Sequence, residues 1–128
     1  MLISGITTMS KLYENKIINK GPMAEEFKGE NMMILFGSKA PAELKDFCYI
    51  IDVVPVQGDI KPGHGLYVDG ERFEITAVGD AVKQNLGNLG HITIRFDGST
   101  TAELPGTLYI ENKPMPAFGV GTELVISE

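Results

Sequence analysis

The chain has 128 residues, 43% hydrophobic and 22% charged, with a formal net charge of −6. That length fits one domain with one real core. The acidic balance speaks against nucleic acid and anionic membrane as partners, because both reward a basic surface. A single cysteine, Cys48, excludes an internal disulfide and suits a reducing compartment. No run approaches the roughly 18 apolar residues of a membrane-spanning helix. The N-terminus shows no basic flank before an apolar run, so no signal peptide is expected. A single cytoplasmic domain over residues 1–128, not inserted in a membrane, is the expectation.

In chain order, Leu2 to Leu12 (LISGITTMSKL) reads as a strand weakened by Gly5. Asn15 to Asn31 is polar and broken by Lys20-Gly21-Pro22, which predicts a long irregular arm. Met32 to Phe36 is a short apolar run, read as a buried strand. Pro41 suits the start of a short helix to about Phe47, with Glu43 favourable near its N-terminus. Tyr49 to Val54 (YIIDVV) predicts a strand, and Gly58 to Gly65 a turn-rich loop. Leu66 to Val68 and Arg72 to Val78 flank Asp69-Gly70, a preferred two-residue hairpin turn. Asp80 is read as the N-cap of a second short helix, Ala81 to Leu86, ending near Gly87. His91 to Phe96 alternates as a strand, and Thr107 to Ile110 and Thr122 to Ile126 complete the set. Short β-branched runs between turns predict an all-β fold. Periodicity alone leaves a barrel and a sandwich both open.

The most suggestive chemistry lies on the His91 strand. Side chains alternate along a strand, so Ile92, Ile94 and Phe96 take a core face, while His91, Thr93 and Arg95 take the other. Arg95 is expected within about 7 Å of His91 along the strand. A neutral imidazole is a competent nucleophile near pH 7. The competing reading is a histidine bonded to a neighbouring backbone group. His64, in Lys61-Pro62-Gly63-His64-Gly65, is the other histidine; it reads more simply as turn material. Cys48 sits among Phe47, Tyr49 and Ile50 and reads as a buried, inert thiol. Glu43, Asp46 and Asp52 lack metal-ligand spacing with either histidine, so no metal site is expected. No Gly-rich phosphate loop is present, and no cofactor is expected.

Several segments together resemble a known family. FGSKAPAELKDFCYII, DIKPGHGLYVDGERFEITAVGDAVKQNLGNLGH and LGHITIRFDG with AELPGTLYI lie between Phe36 and Ile110, within a resemblance that covers roughly Met33 to Ser127. They are similar to the glucitol/sorbitol-specific enzyme IIA component of the bacterial sugar phosphotransferase system, whereas Met1 to Asn31 matches poorly. The patterning gives about seven or eight strands with one or two short helices, and the resemblance implies that they form a closed or nearly closed barrel. It implies a phosphohistidine carrier that draws on the histidine-containing phosphocarrier protein and serves the IIB and IIC sugar permease components. A homodimer is plausible. The resemblance also implies an accepting histidine just after the Cys-aromatic-Ile segment, where this chain has Ile51. Isoleucine cannot accept phosphate, and an acyl phosphate on the adjacent Asp52 would be different chemistry. Two readings follow: a carrier using His91 or His64, or a IIA-like barrel that acts by protein contact alone. An exposed His91 with Arg95 alongside would favour the first.

Overall fold

Sequence patterning accounts for most of the strands in the computed structural model, which describes residues 10–128. The strands are β1 (Lys11–Lys20), β2 (Met32–Gly37), β3 (Tyr49–Ile51), β4 (Gly65–Val68), β5 (Glu71–Val78), β6 (Ile92–Arg95), β7 (Thr107–Ile110) and β8 (Glu123–Ser127). Helix α1 (Ala42–Lys45) lies between β2 and β3, and α2 (Val82–Leu89) between β5 and β6. The strands close into one barrel in the order β1-β3-β2-β6-β7-β5-β4-β8. Closure gives each strand two neighbours and leaves no sheet edge among them. The structure is thus a barrel rather than a sandwich, with eight strands where about seven or eight were expected.

Six of the eight pairings are antiparallel; β2 with β3 and β6 with β7 run parallel. A parallel pair needs a crossover rather than a hairpin. The segment carrying α1 makes the first crossover, and the long connection through Asp97 to Gly106 makes the second. The interior is filled by alternate residues of the strands. Met33, Leu35, Ile51, Ile75, Ile94 and Leu108 are buried with Phe73 and Phe96. Those two rings meet edge to face at 5.4 Å between centroids, the arrangement their quadrupoles favour. Helix α2 adds Val82 and Leu86 to the same core.

Several boundaries differ from the sequence expectations. The Leu2 to Leu12 strand falls largely outside the described residues. The arm over Asn15 to Asn31 is not irregular throughout: Asn15 to Lys20 continues β1, which joins β8 to β3 and so closes the barrel. Its polar residues face water while Leu12, Tyr13 and Ile17 are buried. Register shifts after Lys11 and after Ile17 interrupt the alternation that would have marked a strand. The strand expected over Tyr49 to Val54 stops at Ile51. Ala81, not Asp80, precedes α2 and makes no side-chain cap bond. The helix runs past Gly87 to Gly90, which adopts φ 68° and closes the last turn. The Asp69-Gly70 hairpin forms as expected, with φ 50° and 86° at its two central residues.

Candidate functional site

His91 is placed by a helix end and by strand register. The Gly90 N–H reaches the carbonyl oxygens of Asn85 and Leu86, and the His91 N–H donates to Asn85 at 3.2 Å. The chain passes from α2 into β6 through only two residues, Gly90 and His91. The β2–β6 register pairs Ile34 with Thr93 and Leu35 with Ile92, so the next pair outward is Phe36 with His91. Their rings stack with centroids 4.0 Å apart and planes 6° from parallel. Two glycines permit this approach. A Cβ on Gly37 would lie 2.5 Å from the Leu89 carbonyl oxygen, and one on Gly90 would lie 3.0 Å from the Gly37 nitrogen.

The His91 ring is half-buried. Burial holds its pKa below the usual histidine value, which keeps it neutral at pH 7. Among the described residues no group bonds either ring nitrogen, and neither nitrogen is a buried unpartnered atom. Each ring nitrogen therefore has access to solvent, and among the described residues nothing takes the ring's lone pair. Val53 and Leu89, 45% and 50% exposed, stand on the segments that flank Gly37 and Gly90.

Arg95 is not alongside. It stands four residues from His91, with Thr93 between, so strand rise separates them by about 13 Å rather than 7 Å. Its guanidinium pairs with the Asp97 carboxylate at 3.2 Å and lies 3.8 Å from the Met32 sulfur. His64 is on another turn. Its Nδ1 accepts the Lys61 backbone N–H at 3.1 Å, and its own N–H donates to the Lys61 carbonyl oxygen. An Nδ1 engaged as acceptor leaves the ring proton on Nε2, so the neutral ring offers no free lone pair. Ile51 is wholly buried, and its Cδ1 lies 3.4 Å from where a Gly90 Cβ would be. Cys48 is buried, donates to the Leu44 carbonyl oxygen at 3.1 Å, and has its pKa raised by burial, which makes it inert.

Two clefts of about 490 and 460 Å³ among the described residues share Asp80 and Lys83 and include neither histidine. His91 lines neither of these clefts, and its ring is half-exposed. Among the described residues no group of three His, Cys, Asp or Glu side chains is arranged to hold a metal ion. Among the described residues no helix is long and apolar enough to cross a membrane. Phe36 escaped the sequence reading because its pairing with His91 depends on register between strands far apart in the chain.

Comparison with known proteins bears on this geometry. The family model for the PTS system glucitol/sorbitol-specific IIA component matches residues 12–125, which takes in β1 and extends beyond the segment that carried the resemblance. The chain is 36% identical over 108 residues to the PTS system glucitol/sorbitol-specific EIIA component of Shigella flexneri, covering 84% of this chain and 87% of that protein. The corresponding Escherichia coli K12 protein matches with the same identity and coverage. The crystal structure of a PTS system IIA component from Enterococcus faecalis V583 superposes with a TM-score of 0.74 over 88% of this chain and 97% of that one. At 23% identity, that likeness speaks to the fold alone.

Proposed function

Because this chain belongs to the glucitol/sorbitol-specific IIA component family of the PTS system, we propose that it carries a phosphoryl group on His91. The group comes from the phosphohistidine of the histidine-containing phosphocarrier protein. It passes to a IIB component during glucitol or sorbitol uptake, on the cytoplasmic side. The observation that carries this reading is the state of the two imidazoles. His91 is neutral and half-exposed, and among the described residues nothing occupies its ring nitrogens, whereas His64 has its accepting nitrogen occupied.

The transfer is a direct displacement. A ring nitrogen of His91 donates its lone pair to phosphorus while the donor's P–N bond breaks. The donor imidazole leaves neutral because its other nitrogen keeps a proton, and His91 likewise keeps the proton on its second nitrogen. Holding two neutral rings in line is the main task, so positioning supplies most of the rate. The half-exposed ring of His91 suits attack on a group that another protein presents. Arg95 would have to leave Asp97 to meet that group, so its role here is a charge at the rim of the docking surface.

A second reading has one observation in its favour: Ile51, which the resemblance aligns with an accepting histidine, is wholly buried. On that reading the barrel docks with partners without carrying phosphate. Incubation with phosphoenolpyruvate, enzyme I and the phosphocarrier protein separates the two. The carrier reading expects an acid-labile phosphoryl adduct in wild type and His64→Ala, and none in His91→Ala. No adduct on wild type, beside a competent IIA control, would leave the docking reading.

A further inference from the structure

We propose that Phe36 is a positioning residue for His91, holding the imidazole plane so that only its nitrogen-bearing edge meets a partner. Its purpose rests on the carrier reading above; the stack itself does not. A nucleophilic histidine is ordinarily oriented by a hydrogen bond that its second nitrogen's N–H donates to a carboxylate or a backbone carbonyl oxygen. Among the described residues His91 has no such partner. What fixes its ring is a flat aromatic face 4.0 Å away and nearly parallel to it.

The backbone is pinned as well. The His91 N–H is committed to Asn85, and Gly90 is held against Gly37. Little freedom remains except rotation of the ring, and the stack opposes that rotation. Phe36 points outward from the barrel yet is only partly exposed, as a ring covered on one side by another should be. One face of the imidazole is closed to water and its ring nitrogens keep access to solvent. The ring is thereby presented as a rigid, one-sided nucleophile. A geometric displacement of about 1 Å at such a site costs on the order of a hundredfold in rate.

The test compares Phe36→Leu, which keeps apolar bulk but loses the plane, with Phe36→Tyr, which keeps the plane. Phe36→Met replaces the leucine variant if that one fails to fold. Two readouts are taken. The first is the NMR shift and titration midpoint of the His91 ring protons. Wild type should show upfield, ring-current-shifted protons and a midpoint below the usual histidine value. Both should return toward ordinary values in Phe36→Leu and stay in place in Phe36→Tyr. The second is single-turnover phosphoryl transfer as a function of donor concentration. Phe36→Leu should lower the limiting rate by roughly ten- to a hundredfold with the half-saturating donor concentration unchanged, and Phe36→Tyr should restore it. Unaltered ring-proton shifts in Phe36→Leu would overturn the proposal. So would a change in half-saturation alone, since that makes Phe36 a docking contact. If wild type takes no phosphoryl group on His91, the carrier reading fails, and the NMR arm still decides whether Phe36 holds the ring.

Discussion

Gly90 is the residue on which the site's geometry is most exposed to a small change. Replacing it with alanine introduces two costs and one gain. A non-glycine residue at φ 68° pays about 1–2 kcal/mol for the left-handed conformation. The new Cβ would lie 3.0 Å from the Gly37 nitrogen and 3.1 Å from its Cα. The backbone must give by a few tenths of an ångström, for about 1 kcal/mol at the low end of overpacking costs. Loss of freedom in the unfolded chain offsets about 0.4–1 kcal/mol. The net is a destabilisation of about 1–2.5 kcal/mol, or roughly 4–12 °C in Tm for a chain of this size. Gly90→Asn keeps the crowding but tolerates the backbone angle, so it should lose only about half as much. Urea unfolding monitored by circular dichroism measures both, with an unchanged m-value confirming an intact denatured state. Because His91 is the next residue, its ring-proton shifts should move in both variants. An alanine variant within about 0.3 kcal/mol of wild type would refute the account of how α2 hands the chain to β6. Equal losses for alanine and asparagine would put the cost in the Gly37 contact rather than in the backbone angle.

Leu108, wholly buried on β7 between β5 and β6, should cost about 2–5 kcal/mol when cut to alanine, read as a lower urea midpoint. The His91 pKa is depressed by burial, so as pH falls below the ordinary histidine value of about 6.5 the unfolded chain takes up the proton first. Stability due to this group is therefore full above that value and declines as pH falls toward the lower folded-state midpoint. Wild type and His91→Gln should keep a constant stability difference above pH 7 and diverge below it; parallel curves throughout would contradict the burial effect. Cys48, buried and bonded to Leu44, should resist iodoacetamide in the native protein and react at the rate of unfolding, whereas rapid native alkylation would show an accessible thiolate.

The parts legible in the sequence were those where local chemistry and tertiary structure agree. Asp69-Gly70 sets a turn that needs positive φ at both residues, and the Ile92–Phe96 alternation matches its burial in the barrel. Strand β1 was legible only in part, because its outward lysines and asparagines imitate a loop and register shifts break its period. Gly87 looked like a helix stop, yet the terminal bonds are made by Gly90, three residues on. At the site, His91 stood out as one of two histidines. The distance to Arg95 depended on counting rungs, and the partner that Arg95 takes is Asp97. Phe36 was beyond reach of the sequence, since its place beside His91 follows from the pairing of β2 with β6 across 55 residues of chain.

The most direct test of the central claim is to locate the phosphoryl group itself. The protein would be phosphorylated through enzyme I and the phosphocarrier protein, digested at mildly alkaline pH to preserve the P–N bond, and sequenced by tandem mass spectrometry. The account predicts one phosphoryl group, carried on the peptide containing His91 and assigned to that residue. A phosphoryl group mapped to His64 or to any other side chain, or retained in full by His91→Ala, would contradict it.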